Sequence, residues 1–444
     1  MINEITFINH ASVKFNLKNK TILTDPWYEG AVFHNGWKLI HENKKEEILN
    51  HINNLDYIYI SHEHPDHFSV NFFLDKDYQK ILLKNQTKIL FQKTLDKRVF
   101  SFLKKNDYDV IEIDERKPYK IDKNLEINII KFGYIDSALI IKTDEIKILN
   151  LNDCPLNEDK EIKTFKKKFG KFDILLSQFS YAAWKGGKEN HTYRKEAARK
   201  KIDSLKKVSN LLECKHIIPF ASHIYFANEL NFYMNDEINT PSKVYNLLTS
   251  NNIPIIFKPG ETQNLNSLKQ DSSSLDFWDI EYKKIKHLEN LKYKNTINVE
   301  ELNKNFLNYK KKLFEINSFF IIKLSSLIKF LNFFQNINIF LIDHKKNYKF
   351  SIFSGLEISD KGDYDIKLHS ESLNFIFKHN FGFDTLTVNG CFESNKNGFT
   401  KATKNFAIGT LNSMGIKVDL KIIFNIKLIL FFLNLLGSVK KKII

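Results

Sequence analysis

One short loop of the sequence holds four residues of the types that bind metal ions. The run SHEHPDH, residues 61–67, supplies three imidazoles and one carboxylate from His62, His64, Asp66 and His67. A zinc-like cation prefers neutral imidazole nitrogens and carboxylate oxygens that converge on one point. A tight turn can aim alternate side chains at one ion and the next pair at a second ion. The run therefore predicts a metal centre that activates water, and a coincidental polar loop is the alternative.

The elements around this loop must place it at the edge of a sheet. The β-rich run LDYIYI, residues 55–60, stops at the loop, so the histidines follow the carboxyl end of a strand. Functional side chains are common on such loops. Further strand-like runs alternate with helical patterns through residues 1–264, which predicts a layered α/β catalytic domain.

The loop resembles the HxHxDH signature of the metallo-β-lactamase superfamily. One segment before the loop and two after it resemble other motifs of that family, and all four occur in the family's order along the chain. These segments are Thr24-Asp25-Pro26, Asn152-Asp153 and Ser222-His223. The resemblance implies a four-layer αββα fold in which Asp25 braces the site. It implies Asp66 and Asp153 as the catalytic carboxylates that orient water, and metal ligands from His62, His64, Asp66, His67, Asp153 and His223.

One family position has no counterpart here. The superfamily usually places another histidine between the signature and the bridging aspartate, but residues 68–152 contain none. Asp136 stands near the expected place and is a candidate substitute. Otherwise one ion is held by Asp66, His67, Asp153 and His223. We predict one or two divalent ions, zinc first, with iron or manganese as the alternatives because they suit carboxylate-rich ligation.

Several longer segments resemble the catalytic region of the CMP-N-acetylneuraminate hydroxylase family. They are residues 25–42, 55–69, 147–155 and 218–226, while residues 9–12, NHAS, are shared with N-acylphosphatidylethanolamine phospholipase D relatives. The hydroxylases also carry a Rieske cluster, which needs a Cys-x-His pair and a Cys-x-x-His pair. This sequence has only Cys214-Lys215-His216, so hydroxylation here implies a separate electron-transfer protein.

Residues 179–188 combine aromatic, glycine and lysine residues on one loop. Lys185 and Lys188 are candidates to pair with a phosphate or carboxylate of a small anionic substrate, with Trp184 and His10 lining the same pocket. The alternatives are a solvated glycine-rich loop and a structural His10.

Three functions remain open from the sequence. The first is a metal-dependent hydrolase acting on a phosphorylated, acylated or sugar-nucleotide substrate. The second is the metal-binding oxygenase component of a sialic-acid-type hydroxylase. The third is a non-catalytic binding protein with a decayed site, which the retained aspartates and histidines count against.

Composition limits the partners and the compartment. The formal charge of +15 comes from lysines spread through the chain, and no basic run is interleaved with aromatics, so we predict no nucleic-acid binding. Three scattered cysteines favour a reducing compartment. Residues 1–15 read as a strand without the features of a secretory signal, and we therefore predict a cytoplasmic protein.

The rest of the chain divides into three predicted segments. Residues 265–312 are predicted as a linker and connecting helix, and residues 313–415 as a small α+β accessory domain. Residues 364–394 resemble the sterol-carrier-type domain, with a strand predicted at LTVNGCF, and a packing or dimerising domain is the alternative. Residues 416–444 are predicted as an apolar, basic-ended helix too short to span a bilayer, with membrane-surface contact as the minority alternative.

Overall fold

The computed structural model describes residues 3–248, 253–328, 333–360, 362–395 and 397–419. The strands are β1 (Asn3–Asn9), β2 (Ser12–Leu17), β3 (Lys20–Thr24), β4 (Trp37–Leu39), β5 (Tyr57–Ile60), β6 (Lys88–Gln92), β7 (Asp109–Ile113), β8 (Tyr119–Asp122), β9 (Leu125–Phe132), β10 (Asp136–Thr143), β11 (Lys147–Asn152), β12 (Ile174–Gln178), β13 (His216–Phe220), β14 (Ile224–Phe226), β15 (Ile253–Pro254), β16 (Thr262–Asn264), β17 (Ile337–Leu341), β18 (Lys346–Ser351), β19 (Gly355–Ile358), β20 (Ile366–Leu368) and β21 (Phe392–Ser394). The helices are α1 (Lys45–Ile52), α2 (Val70–Leu74), α3 (Lys76–Lys84), α4 (Arg98–Lys105), α5 (Asp159–Phe169), α6 (His191–Leu212), α7 (Pro241–Leu247), α8 (Ser272–Lys284), α9 (Val299–Ile316), α10 (Phe319–Leu327), α11 (Ser370–Lys378), α12 (Gly382–Asn389) and α13 (Gly398–Ser413).

Two seven-stranded sheets face each other in the first part of the chain. Their strand orders are β16-β1-β2-β3-β5-β6-β7 and β15-β13-β12-β11-β10-β9-β8. Inward side chains of both sheets, such as Phe15, Tyr59 and Ile148, form one apolar core between them. Helices α1 to α4 cover the outer face of the first sheet, and α5 to α7 cover that of the second. The predicted four-layer αββα arrangement is confirmed.

The long helix α6 shows why these elements form where they do. Its buried residues Ala198, Ile202 and Leu205 recur every three or four positions, while exposed lysines and arginines such as Lys195 and Arg199 occupy the solvent face. This is the pattern of an amphipathic helix that packs one stripe against a sheet.

A third, five-stranded sheet has the order β19-β18-β17-β20-β21 and packs with α9, α11, α12 and α13. Its unit joins the first through α12 and the turn after it. The Trp184 amide donates to the Thr387 carbonyl at 2.9 Å, and the Asn389 amide group donates to the Phe33 carbonyl at 3.0 Å. One apolar cluster spans both units, so α12 is held firmly over the loops of the first unit.

The strand predicted at LTVNGCF is wrong over its first half. Residues 386–389 belong to α12, and only Phe392–Ser394 is a strand. The β-branched Thr387 and Val388 suggested a strand, but Gly390 adopts a left-handed φ of 68° and ends a helix there. This helix forms one wall of the candidate functional site.

Residues 265–312, predicted as a linker and connecting helix, contain α8 and the first part of α9. Ser272–Lys284 is a helix, and its Trp278 is fully buried in the core between the two sheets. The indole nitrogen of Trp278 donates to the Phe257 carbonyl at 2.7 Å, which fixes the ring within the first unit.

The predicted C-terminal helix lies outside the described residues from position 420 onward. Within the parts of the chain that are described, no helix is both long and apolar enough to cross a membrane. Membrane-surface contact by residues 416–444 stays a prediction, as does the sterol-carrier resemblance.

Candidate metal centre

The predicted metal loop follows β5 and meets the ends of neighbouring strands. Asp25 directly follows β3, which runs parallel to β5, so both strands deliver side chains to one edge of the first sheet. Asp153 follows β11 in the second sheet, and Asp136 begins the antiparallel neighbour β10. His10 lies in the tight turn between β1 and β2 with a left-handed φ of 36°. The two sheets therefore bring their functional residues to a common edge.

One group of ligand atoms joins His10, Asp66 and His67. Oδ2 of Asp66 lies 3.3 Å from Nε2 of His10 and 3.4 Å from Nε2 of His67. All three side chains are buried, and one ligand atom from each falls within 4.8 Å of the others. His10 was predicted to contact substrate, whereas the structure places it among the metal-binding atoms.

A second group joins His62, His67 and Asp153, so His67 belongs to both. Oδ2 of Asp153 lies 3.8 Å from Nε2 of His62 and 3.9 Å from Nε2 of His67. Nδ1 of His64 lies 2.9 Å from Nε2 of His62, and Oδ1 of Asp136 lies 4.0 Å from that same nitrogen. The candidate substitute Asp136 is thus beside the second group.

Asp25 braces the loop, as its resemblance to the family motif implied. Its carboxylate accepts hydrogen bonds from the Ser61 amide at 2.7 Å, from the Ser61 hydroxyl at 2.8 Å and from Nδ1 of His67 at 3.1 Å. Because Nδ1 donates to Asp25, Nε2 is the nitrogen of His67 that would ligate a metal. Burial raises the pKa of Asp25, which the contacts with His67 and Ser61 oppose.

The electrostatics of the two groups differ. Burial opposes charge on both Asp66 and His67, but their mutual attraction prevails, so the pKa of Asp66 falls well below its usual range and that of His67 rises well above it. In the second group, burial and the neighbouring Asp153 raise the pKa of Asp136 to about 7. Burial also lowers the pKa of His62 to about 3.

The donor set fits a bound cation. Oδ1 of Asp66 and Oδ1 of Asp153 are both buried and accept no hydrogen bond. A buried carboxylate oxygen without a partner is costly, and an ion or an ordered water is what would satisfy it. Imidazole nitrogens and carboxylate oxygens are the donors that zinc, iron and manganese accept.

A residue from the third-sheet unit reaches the centre from above. Oδ2 of Asp384, in α12, lies 3.4 Å from Nε2 of His64. Burial lowers the pKa of His64, but the contacts with Asp384, Asp66 and Asp136 outweigh it and raise that pKa to about 9. Sequence reasoning missed Asp384, because it lies far along the chain from the metal loop, just before the run LTVNGCF that was predicted to be a strand.

A cavity of about 170 Å³ opens onto the two groups. Asp66 and Asp153 form part of its wall, and Val388 of α12 closes one side. A small reacting group fits there in contact with both catalytic candidates.

His223 lies outside both groups of ligand atoms, and its role as a metal ligand stays a prediction. Its ring stacks on Trp278 with centroids 4.0 Å apart, and neither group of ligand atoms includes it. Helix α8, which lies in the segment predicted as a linker and connecting helix, supplies that tryptophan. Burial lowers the pKa of His223 well below its usual range, so the ring is neutral.

The structure also revises the predicted substrate residues. The Trp184 ring is buried between Phe392 and Phe399, with centroids 4.8 Å from each, and therefore packs between the units instead of facing substrate. Lys185 donates to the Ala182 carbonyl at 2.9 Å within its own loop, and Lys188 is exposed. Neither lysine is among the residues that line the 170 Å³ cavity.

Two further residues shape this region. Arg194, fully buried in α6, bridges to Asp236 at 2.7 Å and donates to the Lys188 carbonyl at 3.0 Å, which fixes the lysine-containing loop. Lys201 donates to the Gln178 side chain, and Gln178 lines the cavity. Both arise from one face of α6, a signal that the sequence showed only as helical amphipathicity.

Comparisons with known proteins agree with this architecture. Residues 4–189 match the family model of a β-lactamase superfamily domain. Over this stretch the chain is similar to that superfamily domain. The cytidine monophosphate-N-acetylneuraminic acid hydroxylases of Macaca mulatta and Xenopus laevis are 26% and 25% identical to this chain, over 60% of it and 47% of each relative. The chain spans about half the length of the curated relatives it matches. The resemblance to both families is confirmed.

Solved structures similar to this chain include Igni18, a metallo hydrolase from Ignicoccus hospitalis. It is 16% identical, with a TM-score of 0.41, and the match covers 59% of this chain and 98% of that one.

Proposed function

We propose that this chain is a metal-dependent hydrolase that uses metal-activated water on a small phosphorylated, acylated or sugar-nucleotide substrate. The observation that carries the proposal is the pair of adjacent ligand groups sharing His67, with buried, unpartnered carboxylate oxygens. Such a pair of positions, open to a cavity, is the arrangement of water-activating metal centres.

The residues that would hold the ions are His10, Asp66 and His67 at the first position, and His62, His67 and Asp153 at the second, with His64 and Asp136 beside it. Bound ions supply Lewis acidity and a water whose pKa lies near neutrality.

The chain's own residues supply orientation and proton handling. Asp25 fixes the ring of His67, and Asp66 aligns His10, so the donors are positioned before substrate enters. The Asp153 carboxylate forms part of the cavity wall, where it can accept a hydrogen bond from the attacking water. Val388 of α12 adds an apolar side chain to the cavity wall.

Hydroxylation is the second candidate, and two observations favour it. The relatives of known name are hydroxylases, and Asp136 adds a carboxylate beside the second group where the superfamily usually has a histidine. Carboxylate-rich sites suit iron as well as zinc. This sequence has one Cys-x-His pair, Cys214-Lys215-His216, and no Cys-x-x-His pair, so the electrons for hydroxylation would come from a group outside residues 1–444.

Oxygen-isotope labelling separates the two candidates. The metal-loaded protein is assayed with bis(4-nitrophenyl) phosphate, 4-nitrophenyl acetate and CMP-N-acetylneuraminate, in ¹⁸O-labelled water without dioxygen. A hydrolase releases product anaerobically and incorporates ¹⁸O from water. Turnover that requires dioxygen and a reductant would instead support hydroxylation, and a preparation that binds no metal would favour a binding protein.

A further inference from the structure

A second and larger cavity lies between the superfamily domain and the third-sheet unit. Its volume is about 480 Å³, within the range of small-molecule sites. Its wall combines residues from the loops after β3 and β5, from α2 and α4, and from α11, α12 and α13. Neither unit alone forms this cavity.

The larger cavity adjoins the metal-site cavity. Phe33 and His64 line both of them. A substrate whose reacting bond lies at the metal groups can therefore extend past these two side chains into the space between the units.

The wall of the larger cavity is rich in apolar and aromatic side chains. Five of its phenylalanines are Phe33, Phe68, Phe102, Phe375 and Phe381. Among these, Phe381 is 38% exposed, and Val70 on the same wall is 42% exposed. Apolar side chains left accessible around a concave space are typical of a ligand-binding site.

The charges of this wall do not suit an anion. Among the described residues that line the cavity, Arg98 is the only lysine or arginine, and it is already bound to Glu63 and, at 2.9 Å, to Asp96. Asp384 adds a further carboxylate. Lys185 and Lys188, predicted to bind an anionic substrate, do not line this cavity. A phosphate placed here would meet carboxylates and no unpaired cation of the described wall.

We propose that the cavity between the units binds an uncharged apolar group of the substrate, an acyl chain, while the metal groups hold the bond to be broken. The assignment rests on the proposed function and narrows its three substrate classes to the acylated one. The third-sheet unit then determines specificity, because Phe375, Phe381 and Thr385 belong to it.

Binding of a neutral probe tests this assignment without catalysis. Nile red is titrated into wild-type protein by fluorescence and displaced by 1-decanol or by CMP, with and without prior removal of metal by a chelator. Thr410→Trp fills the cavity from α13, and Phe381→Asp places a charge on its wall. Ile280→Asp, at an exposed position of α8, is the matched control.

We expect one saturable dye site that decanol empties and CMP does not, lost in Thr410→Trp and Phe381→Asp but kept in Ile280→Asp and after metal removal. Unchanged dye binding in both cavity variants, with native circular dichroism and metal content, would overturn the assignment. So would displacement by CMP alone. Because no step requires turnover, failure of hydrolysis leaves this outcome readable.

Discussion

The two metal groups differ in how firmly the chain holds their ligands. In the first group, His10, Asp66 and His67 are all buried, and Asp25 braces His67 from behind. The second group depends on Asp153 and its neighbour Asp136, whose side chains are 25% and 26% exposed. The ligands of the first position are therefore buried, whereas the second position depends on titratable carboxylates that are partly exposed to solvent. We therefore expect the first position to bind an ion more tightly.

Removing the ligand common to both groups should have the largest effect. His67→Ala is expected to abolish binding at both positions, because each group loses a nitrogen and the carboxylates lose their partner. Metal content per chain, measured by mass spectrometry after a weak-chelator wash, checks this. His287→Ala, at an exposed histidine, is the control and should retain wild-type content. Full metal content in His67→Ala would refute the shared-ligand arrangement.

Loosening the brace should weaken metal binding at both positions, because Asp25 holds His67 and His67 belongs to both groups. Asp25→Asn keeps the shape of the side chain but removes one charged acceptor, and such outer-shell changes typically weaken metal binding about 10- to 100-fold. A competition titration with a chromophoric chelator measures the affinity. Asp203→Asn, on the solvent face of α6, is the control. An equal loss in both variants would show that the effect is general electrostatics and not bracing.

The second position should respond to pH through Asp136. Burial and Asp153 raise the pKa of this carboxyl to about 7, so it is protonated below that pH and cannot ligate. Binding of the second ion is expected to strengthen as the pH rises from 6 to 8 in the wild type. In Asp136→Asn that ion should bind more weakly and lose this part of its pH dependence. Calorimetric titrations at the two pH values test both points.

The same carboxyl affects the stability of the metal-free protein. A folded-state pKa above the unfolded one contributes stability at low pH that is lost as the pH rises through about 7. Metal-free Asp136→Asn should therefore gain stability relative to the wild type between pH 6 and pH 8. Urea unfolding at both pH values measures the difference, and no pH-dependent gap between the two proteins would contradict it.

The smallest expected effect comes from changing Asp384 in α12, which contacts His64. Asp384→Asn weakens the hold on the outer nitrogen of His64, so the second position should lose about 10-fold in affinity and the first should change little. Asp363→Asn, an exposed aspartate of the same unit, is the control. Equal weakening at both positions would mean that Asp384 acts on the fold and not on His64.

Much of the first group and its support was predictable, because the loop at 61–67 is local in sequence and follows an apolar strand. Asp25 and Asp153 each follow a strand in the same manner, and a strand end can be read from composition. His10 was only half recognised, since its role depends on the β1–β2 turn folding back over residues 56 positions away.

The contributions that crossed between units were not predictable. Asp384 contacts His64 only because α12 docks on the loop containing Phe33, through contacts of Asn389 and the buried Trp184. Within the first unit, the stacking of His223 on Trp278 of α8 was not predictable either, because the two residues come from separate segments of the chain. Propensity describes a segment by itself and does not report which distant surface it will cover.

A calorimetric titration of metal-free protein with zinc or manganese tests most directly whether the two metal positions differ in affinity. Wild type, His10→Ala and Asp136→Asn are compared at pH 8. We expect two binding events in the wild type. His10→Ala should reduce the affinity of the tighter event, and Asp136→Asn should reduce that of the weaker event. A single binding event in the wild type that neither substitution alters would contradict the presence of two metal positions of unequal affinity.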